Sequence, residues 1–519
     1  MTAVRLLVYL ASAVAITWPL VLSPGQVAVG GVRTDVWNSI WSYWFVADGL
    51  AQGHYPVATT LLDHPEGGRL LVADPLNTLL AAPLTWWQGP AFAYGAMAIL
   101  HLALGGFFAD ALGRRLGGRG WIAGIAYPWS AIVISHLHNG SSEATGVAWL
   151  PLAGLACAWA CEAESPRRSA LAAAALAACA VGGGWYAGID AFILAAAMAL
   201  FLPGGRRLWP AIVVGALLCA PVAMMHRELS AGAGGLIDIK TDEAMSRLRR
   251  TIGAADVRSA WLPGDARIPD FSRFEQNASD FVHTTYLGYA LLLLALWKGR
   301  SRALWVATVA AFVLAHGPVL VSEGGPVAFM GRALPLPYAI VEALPGFGAL
   351  SLLYRLATLV PLGLGLLADR AHPSLGALVV AETLLLSPVR ALPGQVATDV
   401  PGPVAALAAE PEGAVISLPS SFARTRLFEQ TAHQHPLTAS INAGLNPAAL
   451  AVLAALRKVE EHALTPEQAA EIAREKGVRY VIIHPDEAME ATFAPAVRVL
   501  KSRFRTLGDT PEARVFALY

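Results

Sequence analysis

The chain is poor in charge. Of its 519 residues 14% are charged, against about 25% in an ordinary soluble domain, while 55% are hydrophobic and the mean hydropathy is +0.52. So few charges cannot coat a water-facing surface of this size, whereas a bilayer is itself an apolar solvent. Net charge is missing as well: 37 Lys and Arg balance 37 Asp and Glu, which argues against nucleic acid as a partner. Lysine is scarce, 5 against 32 Arg, and with abundant Ala and Gly this reads as the composition of a GC-rich bacterial genome. Cysteine is confined to Cys157, Cys161, Cys179 and Cys219. All four lie in apolar stretches without CxxC spacing, which argues against a disulfide framework or a cysteine metal site. A Gly-rich phosphate loop, GxSxG and HExxH are also absent.

Long apolar runs are what the chain does have. A helix needs about 20 residues to cross roughly 30 Å of hydrocarbon. Candidate spans fall at 4–22, 77–112 (with one crossing near 91–112), 120–137, 143–161, 169–184, 186–203, 208–225, 283–297, 303–321, 350–368 and 373–390. The reading is therefore an α-helical polytopic membrane protein with about 11 transmembrane helices. Basic residues follow alternate spans: Arg114, Arg115 and Arg119, then Arg167 and Arg168, Arg206 and Arg207, Lys298, Arg300 and Arg302, and finally Arg370. The positive-inside rule then places the N-terminus in the cytoplasm of a bacterial inner membrane and the C-terminus on the exoplasmic side. Arg5 and the apolar run after it read as an uncleaved signal anchor, since no small-x-small cleavage site follows.

Three exoplasmic segments are long: 23–76, 226–282 and 322–349. From about residue 391 the pattern changes to that of a small soluble domain. Residues 413–419, 478–484 and 514–519 read as strands, and 447–459 and 466–476 as helices. The expected organisation is a transmembrane domain over 1–390 and an exoplasmic α/β domain over 391–519.

In the first long loop Trp37, Trp41 and Trp44 are spaced i, i+4, i+7, one face of a helix. They suggest an amphipathic helix lying at the membrane interface, with Asp35 before it as a capping carboxylate.

This layout of a first transmembrane helix, a large exoplasmic loop with an acidic residue near its start, many further spans and a soluble exoplasmic C-terminal domain resembles the GT-C superfamily of integral-membrane glycosyltransferases, which use polyprenyl-phosphate-linked sugars. More narrowly, several short motifs are similar to those of YfhO-like bacterial membrane proteins. The motifs are Thr34-Asp35 ahead of the Trp-rich stretch, Ser135-His-Leu-His-Asn-Gly140 ahead of Trp149-Leu-Pro-Leu152, and Gly184-Trp-Tyr-Ala-Gly188. Leu344-Pro-Gly-Phe347 and Thr431-Ala-His-Gln-His-Pro436 ahead of Gly477-Val-Arg-Tyr-Val-Ile-Ile-His484 complete the set. The resemblance implies sugar transfer to an exoplasmic acceptor (a glycan, lipid or protein), with Asp35 as general base, a role that contributes roughly 10²–10⁴ in rate. The leaving group is a lipid phosphate, for which Arg332 and Arg355 are candidate partners; snorkelling to headgroups is the alternative for Arg355.

His54, Asp63, His64 and Glu66 make a divalent metal a candidate cofactor, as in some members of the superfamily, but no DxD accompanies them and no metal ligand is assigned. His136, His138 and Glu143 are candidates for lining the cleft. The two histidines would share a face if extended and diverge on a helix. Tyr186, beside Trp185, is a candidate for stacking on sugar or for an aromatic belt. His433, His435 and His484 raise a metal hypothesis in the soluble domain. The competing reading is a non-catalytic protein that binds or translocates a lipid-linked saccharide; it would call for ionisable residues inside spans, of which Glu382 is the main one.

Overall fold

The structure, a computed structural model, describes residues 2–231, 236, 242–262, 281–344, 346–386, 393–419, 424–441, 444–485 and 491–519. A helix stands at each expected span, but the lengths differ. Among the described residues, Pro90–Arg115, Gly184–Phe201 and Gly205–Glu228 are long and apolar enough to cross a membrane. Others, such as Tyr289–Lys298 and Arg302–Ala315, are apolar but shorter. The run 120–137 is not one helix. It breaks into Trp121–Ala126 and Ala131–Asn139 around Pro128, where the missing N–H and the ring's clash with the preceding turn interrupt the hydrogen-bond ladder.

The described chain forms two compact units, each assembled from three stretches: 1–36, 73–224 and 240–397 in the first, 37–72, 225–239 and 398–519 in the second. In the first unit Thr2–Ile16 packs along Pro90–Arg115 and carries Arg5 to Asp110, which Arg114 also meets at 2.9 Å. Gly124 and Gly106 lie so close to Tyr9 that a Cβ at either would overlap its ring. A short antiparallel ladder, Val27–Val29 with Gln395–Ala397, joins the two ends of the unit's sequence.

The second unit is built on a four-stranded sheet in the order Arg505–Asp509, Arg514–Ala517, Val478–Ile483, Ala414–Leu418. The last two strands run parallel, and the other neighbours are antiparallel. The strands read from sequence at 413–419, 478–484 and 514–519 coincide with three of these. Their period of two sends Val415, Tyr480, Ile482 and Val515 to one apolar cluster and Ile416, Val481, Ile483 and Phe516 to another. The second cluster is covered by Pro447–Glu460, Pro466–Glu475 and Ala494–Arg503.

The first cluster is covered by the Trp-rich helix, Val36–Ala51. This corrects the expectation of a helix with its indoles at headgroup depth. Trp37 and Trp41 are buried, Trp41 stacks on Phe45, and its indole N–H donates to Gln430 Oε1 at 2.7 Å. The i, i+4, i+7 stripe is a core face here, because the sheet's own apolar face requires cover.

Candidate functional site

The arrangement around Asp35 starts from a turn. Residues 30–35 return against the end of Ala131–Asn139: Gly31 N donates to His138 O at 2.9 Å and Asp35 N to Asn139 O at 3.0 Å. Gly140 ends that helix with φ +68, and a Cβ there would sit 2.5 Å from Val36 N. Only glycine allows so close an approach. Asn139 then holds a second segment, bonding Val282 O and Val282 N at 2.8 and 2.7 Å.

From this turn a chain of charged and polar groups runs inward. Ser141 Oγ donates to Asp35 Oδ2 at 3.1 Å and accepts from Arg355 Nη2 at 3.0 Å. Arg355 Nη1 donates to Glu143 Oε1 at 2.6 Å. Arg355 is 7% exposed and Asp35 half-buried, so the chain leads from an enclosed cation to a partly accessible carboxylate. Asp190 steadies the turn that carries Arg355: its Oδ2 accepts from Leu359 N at 3.0 Å, at the start of Leu359–Ala368, where a helix has unbonded N–H groups. Tyr186 Oη accepts from Ser351 N and Leu352 N at 3.1 and 2.8 Å, and its ring faces the Arg355 guanidinium at 5.9 Å.

His136, Glu143, Tyr186, Arg355 and Thr358 line a cavity of about 20 Å³, room for roughly one water. His136 Nε2 meets Thr358 Oγ1 at 3.0 Å. His136 and His138 sit on a helix and diverge; His138 Nδ1 accepts instead from Gly394 N at 3.2 Å. Asp35, His136, Glu143, Tyr186 and Arg355, read separately from the sequence, thus converge.

The other candidates lie elsewhere. Arg332 is exposed on the two-residue hairpin pairing Ala328–Phe329 with Arg332–Ala333. His54, Asp63 and His64 belong to the second unit. There His54 is exposed, Asp63 N donates to Ala439 O, and His64 is held through its backbone to Leu437 and Asn446. In the same unit His435 Nε2 bonds Leu407 O, while His433 and His484 lie buried with Glu429. Among the described residues no group of three or more His, Cys, Asp or Glu is arranged to hold a metal ion.

Sequence reasoning missed Ser141 and Asp190, since a serine after a glycine and one aspartate in an apolar run carry no signal of their own. It also missed Asp74, at the head of Pro75–Gln88. Asp74 is fully buried. Burial, and then the Glu143 carboxylate, hold its acid well above the usual range.

No family model matches the chain, and no curated protein does either. Solved structures do. The arabinofuranosyltransferase AftD from Mycobacteria aligns over 100% of this chain at 18% identity with a TM-score of 0.57. This chain spans 41% of that protein's length. The oligosaccharyltransferase AglB from Archaeoglobus fulgidus, solved with an inhibitory peptide and a dolichol-phosphate, aligns over 93% of this chain and 69% of its own at 12% identity and a TM-score of 0.50. Identities this low speak for architecture alone, and on that ground this multi-pass membrane protein carries the GT-C glycosyltransferase fold.

Proposed function

We propose that the chain is a glycosyltransferase of the bacterial cytoplasmic membrane that takes a sugar from a polyprenyl-phosphate donor and passes it to an exoplasmic acceptor. One observation carries the reading: the half-buried carboxylate of Asp35 is tied through a single hydroxyl, Ser141, to the buried guanidinium of Arg355. A base and a cation so linked match the two charges that develop in this reaction. The acceptor oxygen attacks the anomeric carbon and its proton passes to Asp35. The bond from that carbon to the phosphate oxygen breaks, its electron pair leaves with the polyprenyl phosphate, and the anomeric centre inverts.

Arg355 orients Asp35 through Ser141. To meet the leaving phosphate it exchanges Glu143 or Ser141 for phosphate oxygens, a geometry its fork suits. The dolichol-phosphate bound by AglB is in keeping with a lipid-linked donor. The assignment includes a cytoplasmic N-terminus, about eleven crossings and an exoplasmic α/β domain over 391–519, supported by the alternation of basic loops. The YfhO-like likeness rests on the sequence motifs.

Against the translocation reading stands Glu382, the ionisable residue inside an expected span. It accepts from Tyr286 Oη at 2.5 Å, Tyr289 N at 2.6 Å and Ala290 N at 2.9 Å. A carboxylate so engaged at the start of Tyr289–Lys298 serves as a helix cap.

The test is purified full-length protein with a labelled polyprenyl-phosphate sugar. Asp35→Asn is expected to fold and insert as the parent does and to lose transfer by about 10²–10⁴-fold. Full activity in that variant removes Asp35 from the mechanism. Donor binding by the parent without transfer to any acceptor class favours the non-catalytic reading.

A further inference from the structure

The segment between the helices Arg302–Ala315 and Leu359–Ala368 has a surface that water does not explain. From Gly324 to Val341, Arg332 is the only charged residue, where an ordinary soluble stretch of eighteen residues would carry about four or five. Its large apolar side chains point outward: Phe329 is 64% exposed, Met330 89%, Ile340 79% and Leu344 53%. The most exposed of them sits at the tip of the hairpin.

Turn chemistry sharpens the point. Phe329 pairs with Arg332, leaving Met330 and Gly331 as the two central residues, with φ of 51 and 76. A two-residue turn with both φ values positive favours Asn or Asp followed by Gly, because a larger side chain is strained there. Methionine fits the turn poorly and is presented to the outside. The hairpin and the two residues after it border an open hollow of about 460 Å³, lined by Phe329, Met330, Arg332, Ala333, Leu334 and Pro335. It is an apolar surface with one guanidinium and no carboxylate among its lining residues.

We propose that this hairpin, together with the exposed Ile340 and Leu344 further along the segment, docks into the bilayer, burying Phe329 and Met330 among acyl chains while Arg332 meets a phospholipid phosphate. The chemistry is complementary on both counts. Apolar side chains leave water for hydrocarbon, and an arginine at their edge keeps its charge at headgroup depth. The loop is joined at both ends to apolar helices of a multi-pass protein, so a bilayer is within reach of its chain. This assigns Arg332 to the membrane surface, separate from the Asp35–Arg355 chain. It requires the membrane reading and does not depend on sugar transfer.

The experiment places an environment-sensitive NBD label on Met330→Cys in the full-length protein; the four native cysteines are buried. Glu243→Cys, on the strongly exposed Glu243 side chain, is the control. Each is reconstituted in vesicles of phosphatidylcholine, alone or with an equal amount of phosphatidylglycerol, with and without doxyl-labelled lipid. The Met330 label is expected to emit at shorter wavelength than the control and to lose most of its emission to the doxyl lipid. The anionic vesicles are expected to deepen that loss, and Arg332→Gln to abolish the difference. A Met330 label that emits and quenches like the control overturns the proposal. So does quenching that appears only when polyprenyl phosphate is added, since that would make the hairpin a donor-lipid site.

Discussion

In the first unit Arg355 is enclosed with both terminal nitrogens engaged, one on Glu143 and the other on Ser141, and the chain ends at the half-buried Asp35. In the second unit Arg426, Glu429, His433 and His484 are buried together, with Arg426 Nη1 3.6 Å from Glu429 Oε1. There Glu429 Oε2 and His484 Nε2 stand 3.4 Å apart. Neither atom, nor His433 Nε2, makes a hydrogen bond among the described residues. One set of buried charges is directed at an accessible carboxylate. The other pairs its charges within the buried set, at a cost set by burial. The two sets thus differ in the contacts that lead away from them, and the first is the one on which the proposed site rests.

The most direct way to break this contrast is Arg355→Ala, which leaves Glu143 uncompensated beside Asp74. The loss is expected to be about 3–5 kcal/mol, read as a fall in Tm of the detergent-solubilised protein, with transfer lost as well. An unchanged Tm would mean that the chain of contacts does not hold the first unit together.

The second set should respond to acid. His433 titrates at 6.5 when unperturbed, and burial pushes it down to about 4 in the folded protein. Between those values the unfolded chain binds the extra proton. The stability present above about pH 6.5 is therefore lost as pH falls toward 4, by on the order of 3 kcal/mol. Glu429 acts in the same direction: burial alone would raise its acid, but Arg426 and His484 outweigh burial and hold it below the usual range, so its contribution also disappears on acidification. Thermal unfolding between pH 7 and 4 should be less steep in pH for His433→Gln than for the parent. Identical slopes would show that His433 does not carry the effect.

A smaller change tests the cover of the sheet. Trp41→Phe keeps most of the packing and removes the N–H that reaches Gln430, leaving a buried acceptor. Its expected cost is about 1–3 kcal/mol, again from Tm, and no loss would show that Gln430 finds another donor. The smallest effect is expected at Asp74. Burial favours the neutral form of this acid, which is close in shape to an amide, so Asp74→Asn should cost about 1 kcal/mol or less and leave transfer intact, in contrast to Asp35→Asn. Loss of transfer there would mean that the Asp74 carboxyl ionises during the reaction.

Much of the fold was legible in advance because it rests on local patterns. The apolar runs locate the helices, and the short apolar runs at 413–419 and 478–484 locate two strands, while the faces those strands present came only with the fold. Asp35 stood out through the GT-C resemblance and as a capping carboxylate in the first loop, and His136, Glu143, Tyr186 and Arg355 through their places at outer turns and span ends. Their partners were not legible. Ser141 meets Arg355 across 214 residues and Asp190 meets Leu359 across 169, and no periodicity encodes a pairing of that range.

By itself, then, the sequence determined the solvent this protein is made for and the secondary structure it forms, since both follow from short-range composition and period. Tertiary structure alone decided that the tryptophan stripe covers a sheet, that Arg332 is exposed on a hairpin, and that Ser141 joins Asp35 to Arg355. The physical reason is the same in each case: a side chain's role depends on what the fold brings against it, and burial or a partner from far along the chain outweighs its local preference.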